Sequence, residues 1–306
     1  MKANISLLGS LALAGLALVG CQKPAEKTAA TAGSTAASTT VTTSTETSSS
    51  MAGKTIRIAT EGTYKPFSIT KADGSLTGFD VDFMQALCAQ MKANCEIKPQ
   101  DWDGLLPGLM AKKYDVVIDA MSITPERQAQ VDFTDPYFTN TLVFLTKQGS
   151  PINPDDPAQI DSHKVAAQRS TLSTQWMEKN HPKAKLNLYE GLDNAFMDLA
   201  AGRSDLMISD KAPAAYWLTT PEGKGFEIKG KEIDVNDKMG IIVRKGDPLR
   251  LEFNKAIATL KSNGTYDKIY NQYFGSATTT TAAASSVAVT VSSTTTTTTT
   301  VASTSK

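Results

Sequence analysis

Residues 78–98, GFDVDFMQALCAQMKANCEIK, set the class of the whole core. Val81, Met84, Leu87, Cys88 and Met91 recur at helical spacing, with Asp80 placed to cap the start. Glu96-Ile97-Lys98 then reads as a strand. Before this unit, Ile56-Arg57-Ile58-Ala59 is a strand. After it, Leu105, Leu109 and Met110 mark a second helix, with Pro107 early enough to lose no intrahelical hydrogen bond. Val116-Val117-Ile118 is a third, buried strand. This β-α-β-α-β order predicts an α/β core with a mostly parallel sheet flanked by helices.

The pattern starts again further along. Thr124-Pro125-Glu126 reads as an N-cap, a proline at the first helical position and an acid in the first turn. Leu142 to Thr146 is a strand leaving the first unit, and Lys164 to Ala167 opens a second series. A helix from about Ser170 to Asn180, a strand Lys185 to Tyr189, a helix Leu192 to Ala201 and a strand Asp205 to Ser209 continue it. Lys211 to Leu218 is a further helix. Met239 to Arg244 reads as a strand returning to the first unit, with helices Pro248 to Ser262 and Tyr266 to Phe274 after it. Two units joined by two crossings imply a cleft, where small ligands sit.

The ends differ from this core. Lys2 precedes an apolar run from Ile5 to Val19, too short for a stable span, which ends in Leu18-Val19-Gly20-Cys21. Residues 1–20 are therefore expected to be an export signal. Residues 21–53 and 276–306 are rich in Ser, Thr and Ala and hold few large apolar side chains, so a disordered tether and a disordered tail are expected. Lys plus Arg and Asp plus Glu each number 31, giving a net charge of zero, which argues against a nucleic-acid partner. Of three cysteines, Cys88 and Cys95 lie close together in an exported chain and are expected to form a disulfide. His163 and His181 are too far from them in sequence to suggest a metal site, so neither metal nor cofactor is expected.

Six segments then carry a resemblance. Ala59-Thr60-Glu61-Gly62-Thr63-Tyr64-Lys65-Pro66-Phe67, Gly78-Phe79-Asp80-Val81-Asp82 and Met121-Ser122-Ile123-Thr124-Pro125-Glu126-Arg127 are the first three. Val131-Asp132-Phe133-Thr134-Asp135-Pro136-Tyr137, Ala201-Gly202-Arg203-Ser204-Asp205 and Asn263-Gly264-Thr265-Tyr266-Asp267 complete the set. Together they resemble the periplasmic amino-acid-binding proteins of ABC transporters, solute-binding protein family 3, above all those that bind arginine or lysine, arginine and ornithine. The resemblance implies a two-lobed type II periplasmic-binding-protein fold with two hinge crossings, near Phe138 to Thr141 and Val235 to Lys238. Lobe one would be 54–139 plus 238–275, and lobe two 140–237. Cys88 and Cys95 sit where those proteins have a disulfide. Leu18-Val19-Gly20-Cys21 resembles a lipobox, which implies a lipid on Cys21 and anchoring at a bacterial membrane, periplasmic or on the cell surface; a monomer is expected. The implied partner is an ABC permease.

A free amino acid is a zwitterion, so its receptor needs a cation for the carboxylate and an anion for the ammonium. The resemblance gives the first role to Arg127, helped by backbone donors near Ala120, Ser122 and Thr171, and the second to Asp210. Glu61 matches an acid of the basic-amino-acid binders, and Tyr64 and Trp102 match an aromatic pair that flanks the ligand side chain. Asp119 departs from the pattern, which has a small residue there; its carboxylate is a second anchor for a cationic side chain, or a partner for water or nearby backbone. Arg169-Ser170-Thr171-Leu172 departs too, since the family's glycine is missing and Leu172 replaces a hydroxyl donor. Glu61, Asp119 and Asp210 facing one arginine make an acidic cleft that favours a cationic ligand. The expected function is capture of a basic L-amino acid, arginine before lysine or ornithine, with histidine or another polar amino acid as the alternative ligand. A dehydratase of prephenate-like acids is the enzymatic alternative, disfavoured because such a substrate is anionic and no nucleophile–base pair is evident.

Overall fold

The structure, a computed structural model, describes residues 51–275. The expectations for the export signal, Cys21, most of the tether and the tail lie outside the described residues. The last three tether residues, Met51 to Gly53, form a turn that ends on a hydrogen bond from Gly53 N–H to the Lys92 carbonyl at 2.8 Å.

Strand β1 (Thr55–Thr60) leads through a hairpin of β2 (Ile69–Thr70) and β3 (Leu76–Thr77) to helix α1 (Phe79–Met91) and β4 (Asn94–Pro99). A 3-10 turn at Trp102–Gly104 precedes α2 (Leu105–Met110), β5 (Val116–Val117), α3 (Pro125–Gln130) and β6 (Val131–Phe133). The long β7 (Phe138–Lys147) then leaves this unit. Next come α4 (Pro157–Ser162), β8 (Lys164–Gln168), α5 (Leu172–Asn180), β9 (Lys185–Tyr189), α6 (Leu192–Ala200), β10 (Leu206–Asp210) and α7 (Lys211–Leu218). β11 (Phe226–Met239) returns, followed by β12 (Ile242–Arg244), α8 (Leu249–Ser262) and α9 (Thr265–Phe274).

Two five-stranded sheets result, ordered β4-β1-β5-β12-β6 and β11-β7-β10-β8-β9. In the first, β4, β1 and β5 are parallel, whereas β12 runs antiparallel to β5 and β6. The second mirrors this: β10, β8 and β9 are parallel, and β7 runs antiparallel to β10 and β11. Both sheets are therefore mixed, because the strands on and next to the crossings join each βα series from the opposite direction. β7 and β11 are the crossings, paired through Phe138↔Met239, Thr139↔Lys238 and Asn140↔Asp237.

Aromatic packing fixes where the crossings start. Phe138 lies 5.0 Å from Phe67 and 5.1 Å from Phe274, ring centre to ring centre, and Phe79 lies 5.1 Å from Phe274. These ring contacts tie the start of β7 to the loop after β1 and to α9. Gly78 is required here: its φ is 122°, and a Cβ would stand 2.3 Å from the Phe67 carbonyl oxygen. Cys88 of α1 is disulfide-bonded to Cys95 of β4, tying the helix to the next strand as expected.

Some local expectations change. Asp80 does not cap α1: Gly78 holds that position, and the buried Asp80 carboxylate accepts the Ala120 N–H at 2.6 Å. The run Met239 to Arg244 is broken, because Gly240 lies against Ile123 and Phe133 where the chain passes from one sheet to the other. Thr124 caps α3 as expected, accepting from the Arg127 N–H at 3.3 Å.

Candidate functional site

Parallel strands put their carboxyl ends at one edge, and in open α/β sheets that edge is where ligands bind. Here both sheets do so across one cleft. Glu61 follows β1, Asp119 lies two residues beyond β5, Gln168 ends β8 and Asp210 ends β10. The first lobe lines the cavity with Tyr64, Trp102, Asp119, Ala120, Ser122 and Arg127, and the second with Gln168, Thr171, Leu172 and Asp210. All the ligand-site candidates except Glu61 thus border one narrow cleft. Glu61 stands just behind it, where its two carboxylate oxygens accept from Gln168 Nε2 at 3.2 and 3.1 Å and one accepts from the Thr63 hydroxyl at 2.7 Å.

Arg127 is buried and bridges the lobes. Its Nη1 donates to the Ser122 carbonyl and its Nη2 to the Ser170 carbonyl, both at 2.9 Å. Its guanidinium carbon lies 5.4 Å from the Trp102 ring centre, so that ring faces the cleft's own cation. Tyr64 donates a short hydrogen bond to Asp210 Oδ2. Asp210 occupies the position before α7 but makes no side-chain cap to it, which leaves its carboxylate in the cleft.

The second lobe's loop is used differently from expectation. Thr171 caps α5: its hydroxyl donates to the Gln168 carbonyl at 2.8 Å, and its N–H donates to Thr174 Oγ1 at 3.2 Å. Its polar atoms therefore serve the capping box first. Ser170, at the place of the missing glycine, takes the left-handed φ of 60° that glycine would adopt freely. Ala120, with φ 44°, is held there by its N–H bonds to Asp80 Oδ2 and, at 3.1 Å, to the Tyr137 hydroxyl oxygen.

Charge in the cleft is lopsided. Asp119 Oδ1 accepts from the Thr60 and Ser68 hydroxyls, each at 2.9 Å, while Oδ2 is buried without a hydrogen bond of normal geometry, the Glu61 N–H being a looser neighbour. Burial raises both Glu61 and Asp119 above the ordinary carboxylate range, and the Asp119 charge raises Glu61 further. Burial, then the charge of Asp237, pushes Asp210 up to about 7. Burial, then Asp119, pushes Asp80 up to about 8. Burial lowers Arg127 to about 10, opposed first by Asp237 and then by Asp210. The cleft is thus short of positive charge, and a cation entering it would relieve the strain on several acids at once.

Gln168, Asn140 and Asp237 were not singled out from sequence. Gln168 had a signal: it ends a parallel strand, the same placement that marks Asp210. Asn140 and Asp237 had none, being polar residues in strands that face each other only after folding.

The family model of bacterial extracellular solute-binding proteins, family 3, matches residues 56–276. The chain is 37% identical over 231 residues to the L-arginine-binding protein of Pseudomonas aeruginosa, spanning 73% of this chain and 89% of that protein. It is 36% identical over 228 residues to the lysine/arginine/ornithine-binding periplasmic protein of Escherichia coli, spanning 72% of this chain and 88% of that one. The structure of an ancestral arginine-binding protein bound to arginine matches with a TM-score of 0.69 at 37% identity, covering 74% of this chain and all of that one. Family model, relatives and two-lobed fold agree, and the chain belongs to the bacterial extracellular solute-binding proteins, family 3.

Proposed function

We propose that this protein captures a basic L-amino acid outside the cytoplasm, arginine first and lysine or ornithine next, and delivers it to an ABC importer. The observation that carries this reading is the acidic interior: Asp119 Oδ2 lies buried without a hydrogen bond of normal geometry, near the Glu61 N–H, and burial favours protonation of the Glu61 carboxyl. A guanidinium or ammonium group supplies the missing donors and charge, whereas a neutral side chain supplies at most donors. At the other end Arg127 receives the α-carboxylate and Asp210 the α-ammonium, with Tyr64, Ser122, Ala120 and Thr171 shaping the wall and Trp102 backing Arg127.

Function is then a two-state closure about β7 and β11, with lobes 54–139 plus 238–275 and 140–237. Ligand contacts on both sides favour the shut form, which the permease reads. The protein acts as a binder and not as an enzyme, as a periplasmic monomer held to the membrane by a lipid on Cys21.

A thermal-shift screen of ligand-stripped protein against the L-amino acids tests this reading. Arginine, lysine and ornithine are expected to raise the midpoint and glutamate to leave it unchanged. Stabilisation by neutral amino acids alone would contradict the ligand class, and turnover of prephenate would contradict the binder role.

A further inference from the structure

Asn140 and Asp237 face each other in register on the two crossing strands, and both are buried, at 4% and 3% exposed. Asn140 Nδ2 donates to Asp237 Oδ2 at 3.0 Å. Asp237 Oδ1 is buried without a hydrogen bond of normal geometry; burial raises this carboxyl above its ordinary value, opposed first by Asn140 and then by the nearby Ser122 hydroxyl. A half-satisfied buried carboxylate is costly and rarely kept without a use.

The backbone around it reaches both ends of the zwitterion site. Ile123 N–H donates to the Lys238 carbonyl at 2.8 Å, and Ser122 bridges to Met239. The Ser122 carbonyl in turn holds Arg127. On the other side Leu142, two residues past Asn140, pairs with Asp210. Asp237 therefore sits between the loop that holds Arg127 and the strand that ends in Asp210.

We propose that Asp237 is a positioning residue for the amino-acid end of the cleft, acting through Asn140 and Asp210 to set how strongly the site holds an α-ammonium group. The assignment rests on the function proposed above. Asp210 is faced by Tyr64 from the loop after β1, by Arg127 from α3, and by Asn140 and Asp237 from the two crossings. Asp237 is faced by Arg127, Asn140 and Ser122, with Lys238 beside it on its own strand. Among these groups Asp237 is the acid that opposes ionisation of Asp210. Removing that charge lets Asp210 ionise, and so receive an ammonium, at a lower pH.

The test is arginine affinity of the full chain and of Asp237→Asn from pH 5.5 to 8. The acids at Glu61 and Asp119 act in both proteins, so the ratio of the two affinities isolates the pair under test. The ratio of variant to wild-type affinity is expected to rise about threefold to tenfold as pH falls across that range. A ratio that stays constant with pH would overturn the assignment, since a purely structural loss weakens binding evenly. Asp237→Ser gives the same reading if asparagine disturbs the fold, and Asn140→Asp, which adds a charge beside Asp210, is expected to move the ratio the opposite way. Failure of the wild type to bind any basic amino acid at any pH would overturn the proposed function itself, a different outcome from a flat ratio.

Discussion

At the mouth of the cleft, Lys65 meets Asp193 at 2.9 Å, and Arg169 meets Asp103 at 2.5 Å and Glu190 at 3.4 Å, with side chains between 35% and 52% exposed. Deeper in, Glu61, Asp119 and Asp210 are each less than a tenth exposed. Lys65–Asp193 and Arg169–Asp103 join the two lobes that the interior acids also face, yet rim and interior do different work. Rim pairs keep most of their hydration and contribute about 0–1 kcal/mol each, screened by salt. Interior acids have lost their hydration and are held back from ionising, which a cation placed beside them would reverse. If the proposed closure holds, contacts at the rim guide the lobes and the interior selects the ligand.

Unequal effects of substitution inside and outside would sharpen this contrast, and equal ones would break it. Arg127→Met removes the only buried cation in the cleft among the described residues and is expected to weaken arginine binding at least a hundredfold, about 2.7 kcal/mol, by titration calorimetry. Asp210→Ala is expected to weaken it at least tenfold, about 1.4 kcal/mol; unchanged affinity would remove Asp210 from the site. The interior acids also set a pH dependence. Asp80 and Asp210 titrate at about 8 and about 7 folded, against roughly 3.9 unfolded. Their raised values favour the fold fully below about pH 4, and this stabilisation is lost as pH rises through 7 and 8. Ligand-free protein is therefore expected to melt at a lower temperature at pH 8 than at pH 5, by scanning calorimetry, and saturating arginine is expected to narrow the gap.

Smaller effects belong to the boundary and the rim. The Ser170 carbonyl accepts from Arg127 while Ser170 holds a left-handed conformation, so Ser170→Gly is expected to stabilise the fold by about 0.5–1 kcal/mol with binding retained. Lys65→Met, at the rim, is expected to change arginine affinity less than fivefold, and less still at high salt. A hundredfold loss there would erase the distinction between rim and interior.

The same division governs what could be read before folding. The helices with regular apolar spacing were legible, as were the acids at the carboxyl ends of β1, β5 and β10, because strand ends in a parallel series have a known place. The strand Phe226–Met239 was largely missed: its residues Lys229 to Asp234 are mostly polar and half-buried or exposed, so no apolar run marks them. Val131–Phe133 was too short to stand out as a strand. Asp80 was misread as a cap because sequence shows its position on the helix but not Ala120 across the fold. Asn140 and Asp237, 97 residues apart, meet only when the two crossings pair.

The most direct test of the central claim is a comparison of arginine with citrulline, nearly the same shape without the charge, by calorimetric titration of ligand-stripped protein at pH 7.5. If the buried acids exist to hold a cation, arginine should bind at least a hundredfold more tightly, about 2.7 kcal/mol. Equal affinities would mean that Glu61 and Asp119 serve the fold alone, and the cationic specificity argued from them would be wrong.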